Sequence, residues 1–311
     1  MNEFDPRLVA LAAEAIEAGS SSFAAAARLF DETTRDSTLL LYAWCRHCDD
    51  VIDGQAFGHG QRTGDRGDGL ARLAQLEDAT RRACAGEPTD EPVFAGLGQV
   101  VRLHGIDVSL PLEHLAGFRM DAVGAHYATL ADTLLYCYRV AGVVGLMMAR
   151  VMGARDPDAL DRACDLGIAF QLTNIARDIV DDAAIGRIYL PADWLHAAGI
   201  PPERLADPAH RHALAGVAAR LVETADPYYV SARSGLAALP LRSAWSVATA
   251  RGVYRAIGHR VKQLGDHAWD VRVSTSRREK LWHVARGGAV ALAATALPLA
   301  ERESRLWRRP H

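Results

Sequence analysis

Apolar residues recur along this chain at helical spacing, three and four positions apart, and alternating β-branched runs are nearly absent. Glycines and prolines separate the periodic segments. The pattern predicts an all-α fold, with residues 1–311 forming one domain around a central cavity. The predicted helices span residues 6–18, 21–33, 36–53, 69–85, 92–104, 110–123, 130–153, 157–182, 191–198, 208–237, 241–265 and 275–297.

One segment departs from this pattern. Residues 54–69 carry six glycines among polar side chains, which predicts a flexible, solvent-exposed loop. Because the loop follows an acidic helix directly, we expect it to border a functional site.

Composition and charge exclude several classes of protein. A formal net charge of -3 argues against a nucleic-acid partner, which normally requires a strongly basic surface. The N-terminus lacks a basic start followed by an unbroken apolar run, so no secretory signal is predicted. The apolar stretch 287–300 contains Pro298 and falls short of the roughly 20 residues that a spanning helix needs.

The cysteines favour a reducing compartment. Five cysteines lie in apolar, helix-like segments, which is typical of buried thiols in a cytoplasmic protein. Cys45 and Cys48 form a CxxC pair, but no second pair follows at zinc-site spacing and no βαβ pattern surrounds it. We therefore expect no metal or redox role for this pair.

The first polar stripe lies in residues 39–53, which are otherwise mostly apolar. Tyr42, Arg46, Asp49 and Asp53 are spaced i, i+4, i+7 and i+11, so they share one face of a helix. A face expected to pack in the core thus carries a phenol, a guanidinium and two carboxylates.

The second stripe lies in residues 170–182. Gln171, Asn174, Asp178 and Asp182 are spaced i, i+3, i+7 and i+11, and the rest of this helix is also largely apolar. Carboxylates four positions apart lie about 6 Å apart along a helix axis. In a low-dielectric interior they would repel each other and take up protons unless a cation lay between them.

Magnesium suits such a pair of stripes, because it takes hard oxygen ligands and bridges carboxylates to substrate phosphates. Arg46 and Arg177 would bind the remaining phosphate oxygens. A single DxxxD is common on exposed helices, but two copies, each beside an arginine in an apolar helix, favour a metal site. The stripes lack the alternating ligands and central glycine of an EF-hand, and the Glu-x-x-His pairs of a di-iron bundle.

These segments resemble the squalene/phytoene synthase family, most closely its bacterial phytoene-forming members, over residues 20–281. Asp181 stands where many relatives carry Glu, and Gly19 where some carry a polar residue; neither change removes a ligand. The segments that carry the resemblance are YAWCRHCDDVID (42–53), YCYRVAGVVG (136–145), QLTNIARDIVDD (171–182) and GRIYLP (186–191).

The resemblance implies an isoprenoid-synthase helical bundle with a central tunnel. It implies head-to-head condensation of two geranylgeranyl diphosphates through prephytoene diphosphate, the first committed step of carotenoid biosynthesis. Magnesium, or manganese in its place, would be the cofactor, without a nicotinamide. The implied metal ligands are Asp49, Asp53, Asn174, Asp178 and Asp182. Further catalytic residues are Tyr136 and Tyr189, and the substrate-binding residues are Ser20, Ser21, Ser22, Phe23, Tyr42, Arg46, Gln171, Arg177 and Tyr254.

Carbocation chemistry requires an apolar, closed tunnel. The segment 140–147 suits either a tunnel wall or plain core. The tail 287–298 and the basic residues Arg272, Arg277, Arg278 and Lys280 raise the alternatives of a membrane-surface contact or a solvated face. We expect a cytoplasmic protein, with peripheral attachment to the inner face of the membrane and contact with downstream carotenoid enzymes left as open alternatives.

Three rival functions stay open. A squalene or dehydrosqualene synthase would keep the fold and use the shorter farnesyl diphosphate. A terpene cyclase also pairs acidic helices with magnesium, but the segments 136–145 and 186–191 argue against it. A non-catalytic helical assembly factor would be expected to lose metal ligands that are all present here.

Overall fold

The computed structural model describes residues 4–19, 29–53, 66–294 and 301–310. Over these ranges the regular structure is helical and contains no strand, which confirms the all-α prediction. Ser20, Ser21, Ser22, Phe23 and most of the predicted loop 54–69 lie outside the described residues. The helices are α1 (Pro6–Gly19), α2 (Glu32–Asp53), α3 (Arg66–Ala85), α4 (Pro92–His104), α5 (Ser109–Ala122), α6 (Leu130–Cys137), α7 (Val143–Val151), α8 (Pro157–Ala184), α9 (Ala192–Ala197), α10 (Arg211–Gly235), α11 (Leu241–Leu264) and α12 (Arg277–Ala294).

Most boundaries lie within a few residues of those predicted, but the end of the predicted helix 21–33 is wrong. Residues 29–31 form a turn and bend, and α2 begins at Glu32. The Asp31 carboxylate accepts a hydrogen bond from the backbone N–H of Thr34 at 2.9 Å. Asp31 thereby caps α2, and the capping residue takes a non-helical conformation.

The predicted helix 130–153 is divided by a π-helical turn, Tyr138–Gly142, between α6 and α7. This region packs against α8 almost backbone to backbone. A Cβ at Gly145 would lie 2.3 Å from the carbonyl oxygen of Ala163, and a Cβ at Gly167 would lie 2.2 Å from that of Ala141. Only glycine permits this approach, so these small residues fix how closely the two elements pack.

Buried side chains form two large clusters, both of which border a cavity. One surrounds α8 and α10 and includes Leu172 and Leu221, both fully buried. The other surrounds α2 and α4 and includes Trp44 and Leu97, which are also fully buried. Side chains from both clusters line the cavity, so the core and the functional site share one scaffold.

The C-terminal segment 301–310 folds back onto α8 and α10. Arg302 donates two hydrogen bonds, of 2.8 and 2.7 Å, to the fully buried carboxylate of Asp165. The backbone N–H of Trp307 donates to the Tyr228 hydroxyl at 3.1 Å. The segment is therefore anchored by a charge-assisted pair in the interior, where breaking one partner is costly.

Of the described helical segments, Leu130–Val151 is long and apolar enough to cross a membrane, but 56% of it is buried inside the protein. Core helices commonly have this composition, so the segment is weak evidence for a membrane span.

The CxxC thiols are free, and burial raises the pKa of Cys45 to about 12. A thiol with such a pKa stays protonated and unreactive.

Candidate active site

A cavity of about 560 Å³ runs between α2, α5, α6, α7, α8, α11 and the inner face of α12. Its wall follows α8 from Asn174 to Ala159. These residues are fifteen positions apart, and a helix advances roughly 22 Å over that distance. Polar side chains gather toward the Asn174 end, and the rest of the wall is largely apolar apart from Arg162, so the cavity is a channel with a polar mouth.

Helix α2 supplies one side of this mouth. Tyr42, Arg46 and Asp49 line the cavity, as the first stripe predicted. The Arg46 guanidinium pairs with the carboxylates of Asp49 at 3.2 Å and of Asp50 at 3.0 Å. Asp53 ends the same helix, and its side chain lies outside the described part of the structure.

Helix α8 contributes Gln171 and Asn174, which line the same cavity. The Asn174 amide nitrogen donates to the Gln171 side-chain oxygen at 3.4 Å. The Asn174 side-chain oxygen is buried and has no hydrogen-bond partner among the described residues. A buried amide oxygen without a donor is well suited to bind a cation or a ligand proton.

One turn further along α8, Asp178 is held by two arginines. Arg177 donates from its Nε at 2.8 Å, and Arg272 donates from Nε and Nη2 at 3.2 and 3.1 Å. Burial opposes ionisation of Asp178, but these hydrogen bonds outweigh it and lower the pKa of the carboxyl group. Arg177 and Asp178 do not line the main cavity.

The pKa of Asp182 is shifted in the opposite direction from that of Asp178. Burial is the largest cause that raises its pKa to about 7, and the nearby carboxylates of Asp178, Asp181 and Asp121 add to the effect. Arg187 offsets part of the repulsion. The carboxylates thus lie close enough to disfavour each other's charge, as expected for a site that accommodates a cation.

Within the described residues, no group of three or more His, Cys, Asp and Glu is arranged to hold a metal ion. Asn174 offers an amide oxygen rather than one of these side chains, and the Asp53 side chain lies outside the described residues. The partnerless Asn174 oxygen and the raised pKa of Asp182 both fit a divalent cation. The metal roles of Asp49, Asp53, Asn174, Asp178 and Asp182 therefore stay predictions, and the donor chemistry agrees with them.

Aromatic side chains surround the region next to the mouth. Tyr136 lines the cavity, and its ring stacks on that of Tyr189 with centroids 4.5 Å apart. Both hydroxyls donate to Asp121, Tyr136 at 3.2 Å and Tyr189 at 2.9 Å. Tyr254, also in the cavity wall, stacks on Phe170 at 4.3 Å. Tyr189 itself lies behind this wall.

Four ionisable cavity residues were missed from the sequence: His114, Asp121, Arg162 and Arg187. His114, Phe118 and Asp121 are spaced i, i+4 and i+7 on α5, and all three face the cavity. This is the same kind of polar stripe that identified α2 and α8, so the signal was present. Arg187 lies in the GRIYLP segment (186–191), where the resemblance implied a role for Tyr189 but none for Arg187.

The predicted tunnel wall divides into two faces. Val140, Ala141, Val144 and Gly145 line the cavity, whereas the other large residues of this segment are buried in the core. Those core residues are Val143, Leu146 and Met147. Both alternatives for the segment were thus partly correct.

The four residues of the predicted basic run, Arg272, Arg277, Arg278 and Lys280, lie in different environments. Lys280 lines the cavity and Arg272 binds Asp178. Arg277 and Arg278 are exposed at the start of α12.

Residues 16–279 match the model of the squalene/phytoene synthase family, and the chain belongs to this family. It is 54% identical to the 15-cis-phytoene synthase of Pantoea ananas, over 98% of this chain and 99% of that protein. It is 50% identical to the 15-cis-phytoene synthase of a Paracoccus species, over 98% of each chain. Proteins of this kind are prenyltransferases, and the matches support a phytoene synthase function.

Solved structures agree on the fold. A dehydrosqualene synthase structure with a bound ligand superposes with a TM-score of 0.82 at 26% identity, covering 92% of this chain and 97% of that chain. A squalene synthase from Alicyclobacillus acidocaldarius gives a TM-score of 0.74 at 23% identity, covering 85% and 97% respectively. At that identity the second likeness establishes the helical fold alone.

Proposed function

We propose that this protein condenses two molecules of geranylgeranyl diphosphate head to head to give 15-cis-phytoene, with magnesium as cofactor and without a nicotinamide. The observation that carries the proposal is a single cavity that joins a polar mouth to an apolar channel along α8. The mouth suits diphosphate groups, and the channel suits prenyl chains.

The length of the channel favours the C20 substrate. From Asn174 to Ala159 the wall extends roughly 22 Å along α8. A geranylgeranyl chain has sixteen main-chain carbons and spans roughly 19 Å when extended, whereas a farnesyl chain has twelve and spans roughly 14 Å, given C–C bonds of about 1.5 Å. The longer chain fills the channel, and the shorter one leaves its far end empty.

The mouth offers groups for both the diphosphate and a metal. Arg46, Arg187 and Lys280 face the cavity there and would bind phosphate oxygens. Bound magnesium, or manganese in its place, would neutralise charge on the departing diphosphate. The residues that would hold it are Asp49, Asp53, Asn174, Asp178 and Asp182.

The apolar wall suits the carbon chemistry. Cleavage of the allylic C–O bond leaves a cation that the double bond of the second substrate attacks. Loss of a proton from the resulting cation closes the cyclopropane ring of prephytoene diphosphate. Val140, Val144 and Met148 line the channel and would exclude water from this cation. The ring faces of Phe170 and Tyr254, stacked in the wall, would stabilise positive charge.

The final step needs no reductant. Ionisation of prephytoene diphosphate and rearrangement give a C40 cation, and loss of a proton from carbon forms the last double bond. Electrons balance without hydride transfer. Squalene formation, in contrast, needs a hydride from a nicotinamide at this point.

A product assay tests the proposal. Purified protein is incubated with geranylgeranyl diphosphate and Mg²⁺, without reduced nicotinamide, and the extract is analysed for C40 hydrocarbon. We expect phytoene, and its loss with EDTA. A parallel reaction with farnesyl diphosphate separates the rival functions, since a C30 product as the main hydrocarbon would assign a dehydrosqualene synthase. No hydrocarbon from either substrate would favour a non-catalytic protein.

We also propose that the protein is cytoplasmic and attaches to the inner face of the membrane through the outer face of α12. Leu281, Trp282 and Leu292 are exposed there by 70, 55 and 61%, and the Arg286 guanidinium lies 5.0 Å from the Trp282 ring centroid. Exposed apolar residues beside exposed arginines are typical of surfaces that bind anionic lipid. The inner face of α12 lines the cavity through Lys280 and Val284.

An apolar C40 product would thus have a short path to a bilayer, where the next carotenoid enzymes would receive it. Cosedimentation with vesicles containing anionic lipid tests the attachment. The double variant L281S/W282S should bind less, whereas Val230→Ser, at a 54% exposed valine on α10, should bind like the parent. Equal binding of all three proteins would contradict the proposal.

A further inference from the structure

Two phenols and one carboxylate form a compact unit beside the cavity. Asp121, near the end of α5, accepts the hydroxyl proton of Tyr136 on one oxygen at 3.2 Å and that of Tyr189 on the other at 2.9 Å. The two rings stack 4.5 Å apart with an interplanar angle of 18°. Tyr127 packs against both rings, at 5.6 and 5.8 Å. Three elements distant in sequence thus fix the position of the Tyr136 oxygen.

This geometry determines whether the Tyr136 hydroxyl can donate or accept a hydrogen bond on the cavity side. A phenol has one proton and also accepts hydrogen bonds through its oxygen. Tyr136 donates its hydroxyl proton to Asp121. The lone pairs of the Tyr136 oxygen can therefore accept a proton from another source. Tyr136 and Asp121 both line the cavity, so that source can be a molecule bound there.

The phenol remains protonated until it is needed. Burial, and then the neighbouring charge of Asp121, raise the pKa of Tyr136 well above its ordinary value. A neutral phenol has no anionic oxygen that could add to the cation. It can still pass a proton along a hydrogen bond to a carboxylate.

We propose that Asp121 is a positioning residue for the proton loss that ends the reaction, acting through Tyr136; this rests on the proposed function. A C–H bond next to the C40 cation breaks, and its electron pair forms the final C=C bond. The proton passes to the Tyr136 oxygen, and the original Tyr136 hydroxyl proton passes to the Asp121 carboxylate. Asp121 releases that proton to water when the product leaves. Tyr189 holds the second carboxylate oxygen and orients it.

Substitution of Asp121 by Asn tests this role, because Asn keeps the size and removes the charge. General-base catalysis typically contributes a factor of roughly 10² to 10⁴ to a proton transfer. With prephytoene diphosphate as substrate, we expect phytoene formation to fall about 100-fold. Water-trapped C40 alcohols or isomers with a displaced double bond should take its place. KM for geranylgeranyl diphosphate and the rate of prephytoene diphosphate formation should change less than about twofold.

Three further variants sharpen the test. Tyr136→Phe keeps the ring stack and should give the same shift in products, and adding Asp121→Asn to it should give little further change, since residues acting as one unit are non-additive. Asp121→Glu should restore part of the phytoene yield. Asp226→Asn is the matched control, because Asp226 also accepts from two side chains, Arg255 and His259, but lies outside the cavity wall.

The outcomes are distinguishable. If Asp121→Asn lowers prephytoene diphosphate and phytoene formation in parallel, or raises KM strongly, Asp121 serves substrate or metal binding and the inference is wrong. An unchanged product distribution in both Asp121→Asn and Tyr136→Phe would also overturn it and assign the proton to the released diphosphate. If Asp121→Asn does not fold, Tyr136→Phe decides. Failure of the unsubstituted protein to form any C40 product would instead refute the proposed function.

Discussion

Arg272, in the loop before α12, donates two hydrogen bonds to the Asp178 carboxylate of α8, at 3.2 and 3.1 Å. A side chain 65% exposed to solvent thus neutralises a carboxylate that is predicted to bind the metal. A divalent cation arriving at Asp178 has to compete with this arginine.

Replacing Arg272 by Gln should therefore strengthen metal binding in the absence of substrate. Partly exposed ion pairs contribute about 0.2–1 kcal/mol, so we expect a rise of roughly 1.5- to 5-fold in Mn²⁺ affinity. Electron paramagnetic resonance of free Mn²⁺ measures it directly. Arg305→Gln, which removes an exposed arginine paired with Glu303, is the control. Weaker Mn²⁺ binding by Arg272→Gln would show that the arginine assists the metal rather than competing with it.

Removal of the carboxylate of Asp49 or of Asp178, two of the predicted metal ligands, should abolish turnover and leave the fold intact. Asp49→Ala and Asp178→Ala each delete a carboxylate at the cavity mouth or one turn beyond it. We expect activity losses larger than the roughly 10- to 100-fold typical of residues that only support a ligand. Circular dichroism and thermal unfolding verify the fold. Retained phytoene formation in either variant would disprove the assignment of that residue.

The stability of the protein should fall between about pH 6.5 and pH 4, partly because of His114. Burial lowers the pKa of His114 to about 4, whereas in the unfolded chain it is near 6.5. The unfolded state binds a proton in this window and the native state does not, so stability is lost as pH falls. The contribution is on the order of 3 kcal/mol when complete.

His114→Gln should flatten that part of the pH profile. Urea unfolding at pH 7.5, 6.0 and 5.0 compares the two proteins. At pH 7.5 the variant is expected to be the less stable one, because it loses the ring contacts with Trp44 and Phe118. Parallel profiles for both proteins would exclude His114 as a source of the acid sensitivity.

Two Gly→Ala substitutions should have opposite effects on stability. At Gly167 the added Cβ would lie 2.2 Å from the Ala141 carbonyl oxygen, so α8 and the π turn must separate, at a cost of roughly 1–3 kcal/mol. At Gly216, within α10, the added Cβ meets nothing within 4 Å, and higher helix propensity should stabilise by up to about 1 kcal/mol. Thermal unfolding of both variants measures the difference. A neutral Gly167→Ala would mean that the two backbones separate freely.

The sequence predicts what depends on local periodicity. Tyr42, Arg46 and Asp49 share a helical face by spacing alone, as do Gln171 and Asn174, and all five line the cavity. Asp121 shares a helical face with His114, so its position on α5 could also have been read from spacing. Its pairing with Tyr136 and Tyr189 could not, because those residues belong to other elements.

Other features depend on tertiary packing in the same way. The π turn at Tyr138–Gly142 lies where α8 approaches through Gly167, and helical periodicity does not reveal that contact. The docking of 301–310 rests on Arg302 reaching Asp165, which is 137 positions away along the chain. The single predicted helix 130–153 nonetheless begins and ends within two residues of the observed α6 to α7 segment, because its apolar face is continuous.

Helix α8 bears the polar donors Gln171 and Asn174 on its second half and the small residues Ala163 and Ala159 on its first half, along the same cavity wall. On the proposed function, product size and reaction chemistry would depend on separate stretches of one helix. Bulkier side chains at Ala159 or Ala163 would shorten the space for hydrocarbon while leaving the diphosphate end untouched. Divergence toward shorter products thus requires only a few changes in the early turns of a single element.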